Sequence, residues 1–592
     1  MKDPSTLVVV VVAASLAARA IAFRSPAMVQ LSSRGAAAFG AAVAASRTST
    51  ARATRTTTTA STRGRRAVTT CSATVLAPRE LYGQLCEKLK EVERLSGIQG
   101  LLSWDEQVVM PAGGASARAN QKTALAGVIH EKKVDRSLGD LLQQLQTEEH
   151  QSLSDLSAQE TAVVRDALRD YNHETRKSKE LAAREAEVEA RAYTAWVEAR
   201  AKGDWESFAP VMEEMVIVKR EVAEATSPEL ASAYDGCLDQ FERGMSRDRL
   251  REVFDELKRE LVPLLRDIQA KVAAEEASGA AAVRYPPPLH SGEQWGKDDQ
   301  AALCRDMAEN LGFDMSKGRL DVSVHPFTGG PSPTDVRITT RYSNNWVEGM
   351  SGTVHEVGHA LYEQGRPGGD MEDLPVSRAL SMGVHESQSL LWERMVFLSR
   401  PFWKFAAPLV RARFPHTEAV DDETFYRGLN RVSPGLIRVD ADEVTYPLHI
   451  ILRFEIEQGL MDGSISVADV PRVWTEKMKE LLGVDVPGNA EGCLQDIHWS
   501  VGAFGYFPSY TLGAVMACQF FEAAKKALPD LDQQLEAGNF APLKSWLNRE
   551  VHDRGSLYAS PDELLTQVTG EAMQPKALVQ HLRSKYSEVY GL

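Results

Sequence analysis

The stretch GTVHEVGHALYEQG at positions 352–365 restricts the fold more than any other part of the chain, because it holds His355, Glu356 and His359 in the pattern His-Glu-x-x-His. Residues four apart on an α-helix lie one above the other, so a helix here puts both imidazoles on one face, where they can share an ion. Glu356, beside the first imidazole, then stands where its carboxylate can take a proton from a water on that ion. An ordinary amphipathic helix with two unrelated histidines is the bland reading, and it competes poorly in a chain with 13 histidines among 592 residues. Two of the other His-Glu pairs, at His130 and His173, lack the second histidine and show what that version looks like. A hydrolytic metal centre needs three protein ligands and one open position, so a second element must bring the third ligand to this helix.

One known solution places Gly at 362 and a third His at 365, but those positions hold Tyr362 and Gly365. The other solution is a carboxylate from a following helix. SRALSMGVHESQSLLWERMV, positions 377–396, predicts such a helix, and Glu386, His385 and Glu393 all stand on it at usable spacing. Periodicity does not choose among them. Ahead of the metal helix, DVSVHPFT (321–328) and DVRITTRY (335–342) alternate in polarity, with the turn chemistry of Gly329-Gly330-Pro331 between them. This predicts a β-hairpin whose edge could pair with an extended peptide.

The rest of the chain is helical text. From Glu80 to about Ala280 it is rich in Ala, Leu and charge, with few breakers and apolar residues at spacings of three and four. Its longest run, 159–201, alternates Glu, Arg and Lys and reads as a solvated helix face. Trp104-Asp105 and Met110-Pro111 read as a turn with a buried aromatic, and Tyr285-Pro286-Pro287-Pro288 ends the helical pattern. The N-terminus differs in kind. Positions 7–23 resemble a signal-peptide core, and positions 24–77 are rich in Ser, Thr, Ala and Arg, as transit peptides are. We expect a bipartite leader of the complex-plastid type over 1–23 and 24–77, with a mitochondrial or secretory route as alternatives. A single large domain is expected over 78–592, its N-terminal helical part at 78–284 and its metal-site part at 285–592.

Residues 1–76 carry 10 of the 67 basic groups and 1 of the 82 acidic ones, which leaves 57 against 81 in the remainder. A net charge near −24 repels phosphate backbones, so nucleic acid is not an expected partner. No later apolar run is long enough to span a bilayer, so no membrane contact is expected of the mature protein. Cys71, Cys86, Cys237, Cys304, Cys493 and Cys518 contain no C-x-x-C pair and suggest a reducing compartment rather than a thiolate metal site.

Several stretches together resemble the thermostable carboxypeptidase Taq family of metallocarboxypeptidases. They are D-x-R-x-T at Asp335, Arg337 and Thr339, H-E-x-G-H at 355–359, H-E-S-Q at 385–388, I-R-x-x-A-D at 437–442 and G-x-x-Q-D-x-H-W at 492–499, in that order. The resemblance runs from about Glu80 to the C-terminus, and the leader lies outside it. It implies a mainly α-helical, zincin-like domain with a small β-sheet and a deep cleft, in a protein that is typically homodimeric. It implies Glu386 as the third ligand beside His355 and His359, with one divalent ion per chain, zinc or alternatively cobalt. Glu356 would act as general base, His498 and Tyr506 would donate to the oxyanion, and Arg337 or Arg438, with Gln495, would bind the free terminus of a peptide. Asp335, Asp442 and Asp496 would orient these arginines or histidines. The expected activity is release of single C-terminal amino acids with broad preference. A related helical zinc oligopeptidase or dipeptidyl carboxypeptidase shares the ion and Glu356, and a non-catalytic scaffold is the rival from another class.

Overall fold

Helix α1 (Pro78–Val108) begins with proline in its first turn, where the missing N–H costs nothing. It runs straight through Trp104-Asp105, so only Met110-Pro111 lies in the break expected there. The computed structural model describes residues 77–146, 156–278 and 295–592. The leader-like residues 1–76 and the Tyr285-Pro286-Pro287-Pro288 break lie outside the described residues.

The long charged run is two helices, α2 (Ala158–Arg176) and α3 (Lys179–Lys202). Ser178 divides them, because its side chain accepts from the Leu181 N–H and so caps a new helix in place of continuing the old one. Nor is the run all solvated. Glu185 and Glu189 of α3 are buried, each 2.6 Å from Lys219 Nζ of α4 (Trp205–Thr226). Periodicity shows where charges sit, and the packing of α4 on α3 decides which of them leave water. The long helix α5 (Arg247–Ser278) follows.

The sheet has three strands, β1 (Gly318–Val322), β2 (Thr328–Ser332) and β3 (Asp335–Thr340), in the order β1-β3-β2. β1 runs parallel to β3, with Arg319 opposite Arg337, and β2 runs antiparallel to it, with Thr328 opposite Ile338. The expected hairpin is therefore displaced: Gly329-Gly330-Pro331 is part of β2, and the chain reverses after Ser332. These residues serve close packing instead of a turn. A Cβ added at Gly97 of α1 would lie 2.6 Å from the Pro331 carbonyl oxygen, and Gly330, at φ +148°, sits in backbone space that favours glycine.

Helix α6 (Trp346–Gly365) is capped by Asn345 and carries the His-Glu-x-x-His motif. Helix α7 (Met382–Leu390) starts later than the sequence pattern predicts, because Pro375–Ser377 forms a short 3-10 turn and Ser381 caps α7. It passes directly into a π-helical turn, Leu391–Phe397. Helices α8 (Tyr446–Asp462), α9 (Pro508–Ala527) and α10 (Pro575–Tyr590) complete the part that frames the site. Every residue of α9 from Pro508 to Phe520 is buried, as a helix that is apolar all round requires. One hydrophobic core takes in α3, α4 and α5 together with β3 and α6 to α10, and a smaller one joins α1 and α2. Among the described residues no helix is long and apolar enough to cross a membrane, and the five cysteines are free and buried.

Candidate metal centre and active site

Helix periodicity places His355 and His359 on one face of α6, and a close helix crossing brings the third group to them. Gly358 makes that crossing possible: a Cβ there would stand 2.6 Å from the Gln388 carbonyl oxygen and from Ser389 Cα. Behind α7, a Cβ at Gly513 of α9 would lie 2.8 Å from Glu386 Cβ. With α7 clamped between these two glycines, Glu386 projects to the histidines. One ligand atom from each of His355, His359 and Glu386 lies within 4.8 Å of the others, with His359 Nε2 3.5 Å from Glu386 Oε2.

The two other ligand candidates stand behind the histidines. Glu393, on the wider π-helical turn, accepts from His355 Nδ1 at 2.7 Å, which turns Nε2 toward the cluster. His359 Nδ1 lies 3.1 Å from the His385 carbonyl oxygen and 2.6 Å from His385 Nδ1, and His385 Nε2 in turn lies 2.9 Å from Glu363 Oε1. Each imidazole is thus held by its outer nitrogen, the arrangement that fixes tautomer and orientation in metal sites. Two neutral imidazoles and a carboxylate suit a borderline-soft divalent ion. The electrostatics agree: burial works against charge on His355, but the bond to Glu393 and the nearby Glu386 and Glu356 carboxylates outweigh it and raise the ring to about 9. The surroundings are built to hold positive charge. His355, its side chain 21 % exposed against 1 % for His359, is on the side open to solvent.

Glu356 is buried on α6 beside the cluster, and Thr328 Oγ1 of β2 donates to its Oε2 at 2.6 Å. Nothing in the sequence pattern distinguishes this threonine, since the contact depends on where the sheet meets α6.

A second wall comes from loops and from the first turns of α8 and α9. Tyr446, Tyr506 and Tyr510 pack together, with ring centroids 6.1 Å apart for Tyr446 and Tyr510 and 5.4 Å for Tyr506 and Tyr510, and burial, with the Glu386 carboxylate adding to it, raises all three hydroxyls. His498 is fully buried, with Nε2 3.2 Å from Tyr510 Oη and its ring centroid 5.4 Å from that of Tyr506. Burial pushes His498 down to about 3, and the Arg438 and Arg453 charges add to this against the opposing Asp496, so the ring is neutral near pH 7. Glu457 of α8 pins both ends of this loop: Trp499 Nε1 donates to one oxygen, and the Gly505 N–H and Tyr234 Oη donate to the other, each at 3.0 Å.

The expected terminus-binding residues are already engaged. Arg438 is 3 % exposed, with Nε and Nη2 donating to Asp496 Oδ1 at 3.0 and 2.9 Å and Nη1 donating to Tyr446 Oη at 2.7 Å. Arg453 shares Asp496, donating through Nε at 2.6 Å. Burial raises the Asp496 carboxyl, but its two guanidinium partners outweigh that and hold it well below the usual carboxylate range. Gln495 accepts from the Arg438 backbone N–H and donates to the Leu436, Glu491 and Gly492 carbonyls, so its amide braces the loop. Arg337 forks onto Asp335 at 2.9 and 2.8 Å and stacks 4.4 Å over Trp104, whose ring Arg319 also meets at 5.0 Å. Asp335 and Asp496 thus face arginines, whereas Asp442 accepts from the backbone N–H groups of Ser433, Val444 and Thr445 and orients neither an arginine nor a histidine.

Comparison with known proteins converges on one group. The family profile described as "Carboxypeptidase Taq (M32) metallopeptidase" matches residues 84–586. The thermostable carboxypeptidase 1 of Thermus thermophilus is 36 % identical over 525 residues, which is 87 % of this chain and all of the relative. Among solved structures, the M32 carboxypeptidase of Deinococcus radiodurans superposes with a TM-score of 0.81 at 34 % identity, covering 87 % of this chain and 100 % of its own. Metallocarboxypeptidase 1 of Trypanosoma cruzi gives 0.81 at 36 % identity, covering 86 % and 99 %.

Proposed function

The chain belongs to the carboxypeptidase Taq (M32) family of metallopeptidases, and from that premise we propose that it releases single amino acids from the free C-terminus of peptides with broad side-chain preference. The observation that carries this reading is the gathering of His355, His359 and Glu386 within 4.8 Å, beside a buried Glu356 held by Thr328. We propose that those three residues hold one divalent ion, zinc or alternatively cobalt. Bound there, such an ion supplies Lewis acidity and makes a water acidic enough to be deprotonated near neutral pH.

The remaining work falls to side chains. Glu356 takes the proton of the attacking water and returns it to the departing amine, and the Thr328 hydroxyl keeps its carboxylate in one orientation for both transfers. His498 and Tyr506 donate to the developing oxyanion. The neutral state of His498 and the Glu457 brace on its loop support that role. A free carboxylate at the substrate's end needs positive charge nearby, which Arg337 and Arg438 supply.

The decisive experiment uses the metal-loaded enzyme on one peptide prepared with a free C-terminus and again as its amide. We expect stepwise loss of single residues with the free form preferred over the amide by orders of magnitude, lost on chelation and restored by zinc or cobalt. Internal cleavage of both forms would move the enzyme to the oligopeptidases, and an inert protein with bound metal would support a scaffold. Residues 1–77 are proposed to direct the chain to a plastid, and secretion of a reporter fused to them would refute this. A homodimer is proposed as the working assembly, to be checked by sedimentation.

A further inference from the structure

Arg438 is the more deeply buried of the two motif arginines, its side chain 4 % exposed against 15 % for Arg337. It is 3 % exposed, and three of its N–H groups are spent on Asp496 and Tyr446. Arg453 competes for the same carboxylate, so two guanidinium groups share one Asp496 and a net positive charge remains buried behind the loop wall. Tyr446 lies directly against that charge, on the side of Tyr510 and His498. It is half-buried, its ring centroid lies 6.1 Å from that of Tyr510, its oxygen accepts from Arg438 Nη1 at 2.7 Å, and Arg394 lies 5.0 Å over its ring. Its own hydroxyl hydrogen has no acceptor among the described residues. A phenol that accepts from a cation becomes a stronger donor, because hydrogen bonds in a chain polarise one another.

We propose that Tyr446 is the group that touches the terminal carboxylate of the peptide, its O–H donating to that carboxylate while Arg438 holds the phenol oxygen from behind. The inference rests on the carboxypeptidase reading above and deepens it. Arg438 acts through the phenol instead of forming an ion pair with the substrate, which avoids stripping both ions of water. A terminal amide, lacking the negative charge, gains much less from the polarised O–H. Arg337, forked onto Asp335 and stacked on Trp104, adds positive charge to the site without touching the carboxylate.

Tyr446→Phe in the full-length, metal-loaded enzyme removes one oxygen and leaves the ring packed. The readout is the ratio of kcat/KM for a peptide with a free C-terminus to that for its amide, with metal content and Tm as controls. A hydrogen bond to a charged group lost from recognition predicts a fall in this ratio of about 10- to 100-fold, with kcat at saturation near the wild-type value. An unchanged ratio overturns the proposal. So does an equal fall in kcat for both peptides at unchanged KM, which would make Tyr446 an oxyanion donor. If the wild-type enzyme itself does not prefer the free form, the carboxypeptidase reading fails first, and that result is visible before the variant is compared.

Discussion

Helices α6 and α7 hold the three candidate ligands by helical spacing and by backbones that approach closely at Gly358 and Gly513. The wall of Arg438, Tyr446, Asp496, His498 and Tyr506 is drawn from separate stretches of chain and is held by buried charge, with Asp496 between two arginines and Glu457 across the loop ends. The difference teaches where precision comes from. Two packed helices bring the ligand side chains together through shape, and hydrogen bonds to the outer nitrogens of the imidazoles complete their orientation. Loops lack that stiffness, and here ionised groups with several directed hydrogen bonds replace it. The ligand side should therefore answer substitution through chemistry and metal affinity, and the wall through stability as well.

Glu356→Gln should have the largest effect, a fall in kcat of about 10²- to 10⁴-fold, with metal content and Tm unchanged. A parallel loss of bound metal would show that Glu356 serves the ion and not the proton transfer. Asp496→Asn should break the wall in the other manner. It leaves Arg438 and Arg453 buried without a counter-charge and should cost about 3 kcal/mol of stability, read by denaturant unfolding. An Asp496→Asn protein as stable as wild type would refute the view that charge holds this wall. Glu393→Gln keeps the shape behind His355 but weakens the hold on its ring, and metal affinity should fall about 10- to 100-fold by competition titration.

The smallest effect concerns Glu242, a buried carboxylate on the ligand side that accepts from the Gly383 N–H at the start of α7 and that burial holds up to about 7. Its unfolded value is 4.5, so the folded state binds more protons between 4.5 and 7 and wild-type stability declines as pH rises through that window. Glu242→Gln cannot titrate. Its stability relative to wild type should therefore rise by on the order of 1 kcal/mol from pH 5 to pH 8, and a difference that stays constant with pH would sink the assignment.

Much of the ligand side is legible in the sequence. The His-Glu-x-x-His spacing fixes which face of a helix carries His355 and His359, and a following helix with a carboxylate is implied by the pattern around Glu386. The hairpin was legible only in part, since Gly329-Gly330-Pro331 spells a turn but is used for the close approach of α1 to β2. The charged run over α3 is another such case, because the letters do not show that Lys219 comes to meet Glu185 and Glu189.

What the sequence determined by itself are the local periodicities: the helical character of the chain, the metal-binding face of α6 and the acidic surface. These depend on neighbours within one or two helical turns, which the order of residues specifies directly. The tertiary structure alone decided that Glu386 reaches the histidines while Glu393 and His385 stand behind them, that Thr328 meets Glu356, and that Arg438 is spent on Asp496 and Tyr446. Each of these is a meeting of groups far apart in the chain. Their roles follow from burial and from competition for partners, which exist only once the helices have packed.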